Sequence, residues 1–290
     1  IAPSSFRIMR QLLSRLEDET TGKVVPHEFY RDIPESRVQQ ASAAAAIVGE
    51  TVLQAFPFVE GAHPVAKDAE VAEHLLNRTW RPALSVIGAD GLPPTAVAGN
   101  VMLPQTKLKM SLRLPPTLDA TKAAQRLESI LTRDPPQGAR IVYEGVSTGN
   151  GFHAPIEAEW LDAAVHTASL TYFDQPAAHR GEGGSIPFMS MLLGKFPNAQ
   201  FLVTGAAGPG SNMHAPNEFL HIDYSSRLTM CVAQIVAALA TQKAGDVGRA
   251  GALAEAAAAS AGEAPKRSFT EAFQQSGGKP FQFVGCDCGT

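Results

Sequence analysis

Residues 108–114 read Leu-Lys-Met-Ser-Leu-Arg-Leu, with a large apolar side chain at every second position, and Pro115-Pro116 ends the run. A period of two marks a strand with one face on a core and the other toward solvent. Proline lacks the N–H that a ladder needs, so the strand stops there. Leu108, Met110, Leu112 and Leu114 therefore require a covering layer, and the neighbouring sequence supplies it. Phe6, Met9, Leu12, Leu13 and Leu16 share one face of a helix expected over 4–18. An Ala-rich helix is expected over 36–55 and another over 66–77. After the strand, a helix over 118–133 carries Asp119 in its first turn, where a carboxylate suits the positive helix end. Residues 83–87 read as a second strand closed by the turn Gly88-Ala89-Asp90-Gly91. A third strand is expected over 139–144, after the break Asp134-Pro135-Pro136-Gln137-Gly138. Helix, strand, strand, helix, strand describes a compact α+β layer of helices on an antiparallel sheet.

From about residue 155 the pattern becomes α/β alternation. A helix over 157–171, the loop 179–187, a short apolar helix, a strand over 199–204, the loop 208–220 and a helix over 225–241 follow in order. Leu228, Cys231, Val232, Ile235, Val236 and Leu239 lie on one face of that last helix. Beyond 243 the chain is Ala/Gly-rich with few core-forming residues, and the expectation is a poorly packed tail. A length of 290 residues accommodates two such units. No internal repeat is visible.

Several function classes lose support. The net charge of −4 offers no concentrated basic face for nucleic acid. No apolar run approaches the roughly 20 residues that span a bilayer. Three cysteines make no secreted disulfide framework, and Cys286-Asp287-Cys288 is weak evidence for metal, so a reducing, cytoplasmic setting is the expectation. The chain opens without Met or a signal-peptide pattern and enters a helix at once, as if in mid-fold.

Four places carry side chains suited to chemistry. His214 sits in the Gly/Pro/Asn-rich loop Gly208-Pro209-Gly210-Ser211-Asn212-Met213-His214, just after the expected strand over 199–204. Ligand sites in open α/β sheets gather at the carboxyl ends of strands, although a solvent-exposed loop histidine is the plain alternative. Arg113 stands on the parity opposite to its leucines, either as a solvent-facing residue or as a bidentate clamp for a carboxylate. Gly183-Gly184-Ser185, preceded by Arg180 and Glu182, offers backbone N–H groups and a hydroxyl to an anion, or is an ordinary loop and cap. Gly99-Asn100 reads first as a turn. His221-Ile222-Asp223 has the spacing of a zinc motif but runs into a helix start, where Asp223 or Ser225 suits a cap.

Taken together, the stretches from Thr79 to Gly91, Gly99 to Pro116, Asp134 to Gly145, Gly181 to Pro187 and Gly208 to Leu220 occur in the order and spacing of one group. They resemble the two-zinc metallopeptidases related to carnosinase, cytosolic dipeptidases, glutamate carboxypeptidase and aminoacylase, over residues 1–241. The resemblance implies a ferredoxin-like lid and dimerisation domain over 1–153, the C-terminal part of a zinc-peptidase α/β catalytic domain over 154–245, and a tail over 246–290.

It further implies roles for single residues. His214 corresponds to the late histidine on the second zinc. Arg113, with Gly184 and Ser185, corresponds to the grip on the substrate's terminal carboxylate. Asn100 corresponds to a polar lid residue reaching the partner subunit's active site. The implied substrate is a dipeptide or short peptide, the assembly a homodimer, and the metal zinc, with manganese or cobalt accepted by related ligand sets. In the family a zinc-bound water attacks the peptide carbonyl after a glutamate takes its proton. The family's H-x-D motif, Glu-Glu pair and lid histidine have no counterpart in these 290 residues, so the chain is expected to lack most metal ligands and the base, and to be inactive alone. A non-catalytic dimerisation or carboxylate-binding module, and within the family a deacetylase or aminoacylase, are the alternative readings.

Overall fold

The computed structural model describes residues 1–244, apart from 55, 57, 185 and 209, together with the backbone of 284–288. The expected alternating strand forms as β2 (Lys107–Arg113), paired antiparallel with β1 (Ala83–Asp90). Leu112 and Leu114 join Leu84 against Val24, Phe29, Leu118 and Ala123, while Met110 packs toward Leu12, Leu16 and Leu131. The covering helices are α1 (Ser5–Leu13) and α5 (Ala120–Thr132). Asp119 is the N-cap of α5 rather than a first-turn residue: its carboxylate accepts the Lys122 N–H at 2.9 Å.

Residues 88–90 do not turn. β1 runs on through them after a bulge between Val86 and Gly88, and the reversal begins at Gly91. Gly91 has φ +84°, and a Cβ there would stand 2.6 Å from the Gln105 carbonyl oxygen, so both conformation and space select glycine. Residues 139–144 also depart from expectation, forming no strand. Ile141 and Tyr143 nevertheless pack on the α1–α5 cluster. The segment is held by side chains instead of a ladder: Lys107 Nζ meets Glu144 Oε1 at 2.6 Å, and the Tyr143 hydroxyl donates to the Ala124 carbonyl at 3.3 Å.

The Ala-rich helix breaks at Gly49 into α2 (Glu35–Val48) and α3 (Thr51–Gln54). The next helix, α4, begins later than expected, at Val71–Thr79. Leu75, Leu76 and Trp80 pack on Ala41 and Ala44 of α2, forming a separate small core.

In the second half, α6 (Glu159–Phe173) packs on α8 (Ile222–Ala244) through Leu161, Val165, Ala168, Phe173, Tyr224, Leu228, Cys231 and Ile235. Val232, Val236 and Leu239, expected on the same face, are instead exposed. Helix α8 starts ahead of the expected cap, so Asp223 lies in its first turn and Ser225 donates both its N–H and its hydroxyl to the His221 carbonyl. Helix α7 (Pro187–Lys195) is the short apolar helix.

Residues 199–204 have no ladder among the described residues. The apolar residues are packed all the same: Phe201 and Val203 lie on Phe152 and Ala154, and Leu202 on the α6–α8 core. A strand needs a neighbour to satisfy its backbone, and burial pattern alone does not supply one. Strand β3 (Ala178–Glu182) does have a neighbour, β4 (Val284–Cys288), running parallel. That part of the expected loose tail is therefore paired, and the rest of it lies outside the described residues.

Candidate functional site

The residues expected to carry chemistry fall on exposed loops and a strand end. Asn100 is exposed in the long connection between β1 and β2. Arg113 is exposed at the end of β2, opposite Ala83 in the ladder. Gly184 is exposed between β3 and α7, and an added Cβ would meet nothing within 4 Å. Ser185 lies outside the described residues. His214 is exposed with φ +60°, and its backbone N–H donates to Glu218 Oε2 at 3.3 Å.

A different set converges around β3. The C-terminal turn of α4 lies directly against this strand: a Cβ on Gly181 would stand 2.7 Å from Thr79 Cγ2, and one on Gly183 would stand 2.9 Å from the Arg78 carbonyl oxygen. Close packing thus accounts for one of the two glycines expected to bind an anion. Glu182 receives Arg78 on one carboxylate oxygen and Arg180, at 2.9 Å, on the other. Across the strand, Arg37 of α2 donates to His153 Nε2 at 3.2 Å, to Gln40 Oε1 at 2.7 Å and to the Ala154 carbonyl at 2.7 Å. Burial lowers the Arg37 pKa, opposed by the charge of Glu157. Burial and then the Arg37 charge push the His153 imidazole below its ordinary value. A cleft lined by Arg37, Trp80, Phe152, His153 and Arg180 encloses about 20 Å³, room for one water.

Beside it, His179 Nδ1 of β3 stands 3.4 Å from Glu157 Oε1. Burial raises the Glu157 pKa and Asp162 adds to that, while His179 and Arg37 oppose it. One donor atom each from Glu157, Asp162 and His179 lies within 4.8 Å of the others. The sequence did not single out Glu157, Asp162 or His179. Glu157 and Asp162 are five apart and His179 seventeen further on, which is no metal-ligand spacing; only the return of the chain through β3 unites them.

No family model matches the chain. Among solved structures, it superposes on a metallo-carboxypeptidase of the M20 family from Sulfolobus solfataricus with a TM-score of 0.62 and 19% identity, over 78% of this chain and 51% of that one. It superposes on the di-peptidase Dug1p from Saccharomyces cerevisiae with a TM-score of 0.61 and 19% identity, over 80% and 48%. The chain shares its fold with about half of each of these two peptidases, the first of the M20 family. A sequence relative agrees: over 142 residues the chain is 31% identical to the cysteinylglycine-S-conjugate dipeptidase of Corynebacterium striatum, covering 48% of this chain and 30% of the relative. The chain thus spans about half the length of the M20 structures it matches, and less of the dipeptidase. Within this M20 fold, no helix among the described residues is long and apolar enough to cross a membrane.

An M20 fold raises the question of metal. The described residues gather no group of three metal-ligating side chains around His214. One histidine does not hold a two-zinc centre, so the residues present do not fit that centre by themselves.

Proposed function

We propose that the chain is part of an M20-type, zinc-dependent dipeptidase acting on dipeptides or short peptides with a free C-terminal carboxylate. The observation that carries this reading is the 31% identity to a dipeptidase in a chain that independently adopts the M20 fold. In this reading residues 1–153 form the ferredoxin-like lid and the homodimer contact, with β1, β2, α1 and α5 as its layer. Residues 154–245 belong to the catalytic domain. Arg113, with Gly184 and Ser185, takes the terminal carboxylate, Asn100 serves the partner subunit's site, and His214 supplies one zinc ligand. The exposure of Arg113 at a strand end suits a guanidinium that meets its ligand from solvent. No bond-breaking step is assigned to this chain's own residues, whose parts are recognition and one zinc ligand.

Among the described residues no group of three metal-ligating side chains includes His214, which leaves room for a second reading, a carboxylate-binding module without catalysis. One titration separates the outcomes. An S-alkyl cysteinylglycine and its C-terminal amide are added to the protein with zinc present, with binding followed by NMR and hydrolysis by chromatography. Preferential binding of the acid with hydrolysis supports the peptidase. Preferential binding without hydrolysis supports carboxylate recognition in either reading, and equal binding of acid and amide contradicts both.

A further inference from the structure

We propose that Glu157, Asp162 and His179 form a separate binding site for a divalent transition metal of the zinc type, where β3 meets the start of α6. The site does not include His214 and stands apart from the peptidase reading.

Geometry comes first. The 3.4 Å between His179 Nδ1 and Glu157 Oε1 is longer than an ordinary N–H···O hydrogen bond. It matches the edge of a metal tetrahedron: two ligand atoms at about 2.0–2.2 Å from zinc stand roughly 3.3–3.5 Å apart. Asp162, an exposed carboxylate, brings the third donor within 4.8 Å of both. The second carboxylate oxygen of Glu157, Oε2, is buried and meets no hydrogen-bond partner among the described residues. Buried carboxylate oxygens are ordinarily satisfied, so an orphan beside two further ligands suits a bound cation.

Charge also favours a cation. The positive end of α6 carries about half a charge, whereas the site offers two carboxylates, with Glu159 in the same turn. Arg37 is the opposing cation near Glu157, and its guanidinium is already engaged with His153, Gln40 and Ala154. The donor set chooses among metals. An imidazole with two carboxylates suits zinc, whereas magnesium and calcium favour all-oxygen shells. Three protein ligands leave room for water in the fourth position.

The test is equilibrium dialysis of the whole chain against Zn²⁺, with bound metal measured by elemental analysis. Wild type and His214→Ala are each expected to retain one equivalent at this site. His179→Ala is expected to lose affinity by more than the roughly 10–100-fold that an outer-shell change costs. Asp162 is exposed, so Asp162→Asn tests the same prediction without risk to the core if His179→Ala fails to fold. Undiminished zinc binding by Asp162→Asn overturns the site. So does no zinc retained by wild type, zinc lost on His214→Ala alone, or tighter binding of Ca²⁺ than of Zn²⁺.

Discussion

Arg37 Nε donates to His153 Nε2 across 3.2 Å, which fixes the imidazole as an acceptor at that nitrogen and places its proton on Nδ1. The ring also meets Trp80 edge-on, with centroids 5.3 Å apart. Protonating Nε2 would set two cations against each other in a half-buried site. With the folded pKa below the ordinary 6.5, the unfolded chain takes up the proton first as pH falls. Stability is therefore intact above about pH 6.5, declines as pH drops toward the folded pKa, and levels off below it. NMR titration should place the His153 midpoint below 6.5, and His153→Phe should flatten that part of the stability–pH curve. A midpoint at or above 6.5 would contradict the contact.

The contact between α4 and β3 leaves no room for a methyl group. Gly181→Ala would press on the buried Thr79 side chain, and Gly183→Ala on the Arg78 backbone. Each should cost about 1–3 kcal/mol, the usual effect of overpacking. Gly183→Ala should be the worse of the two, because backbone yields less than a side chain. Gly184→Ala, which faces open space, is the control and should unfold within about 0.5 kcal/mol of wild type in urea. Equal losses at all three glycines would show that the contact is not what selects them.

Cys231 is fully enclosed between α6 and α8, and its thiol donates to the Ala168 carbonyl at 3.5 Å. Burial pushes its pKa up to about 12. The thiolate is the reactive form, and at pH 8 only about one thiol in ten thousand would carry it. Iodoacetamide should therefore leave Cys231 unmodified in the native protein and label it in urea, as read by peptide mass mapping. Native labelling at the rate of a free thiol would mean that the α6–α8 interface opens.

What the sequence made legible follows from which forces are local. The alternation at 108–114 and the apolar face of the first helix report burial: β2 and α5 formed within two residues of where they were expected, whereas α1 stops at Leu13, short of the expected 18. Asp119 was expected inside the first turn and proves to be the N-cap, a near miss because helix starts depend on neighbours in the chain. Residues 139–144 and 199–204 show the limit. Their apolar side chains are packed, yet a ladder requires a partner strand that no sequence pattern specifies. The cluster of Glu157, Asp162 and His179 was illegible for the same reason, since its members are joined by a long-range return of the chain. Arg113 was legible by parity, because its outward position follows directly from the inward leucines.

That outward position gives the sharpest test of substrate recognition. Arg113 is exposed at the end of β2, so Arg113→Ala should change thermal stability little. A bidentate bond to a carboxylate is charge-assisted and worth about 1.5–3 kcal/mol. Affinity for a free-carboxylate dipeptide should thus fall about 10–150-fold, while affinity for the amidated form stays where it was. Arg113→Lys should recover only part of the loss, because an ammonium cannot reproduce the planar fork. Isothermal titration of wild type and both variants against acid and amide measures all three effects. Equal weakening toward acid and amide would place the role of Arg113 in holding the strand end rather than in gripping the carboxylate.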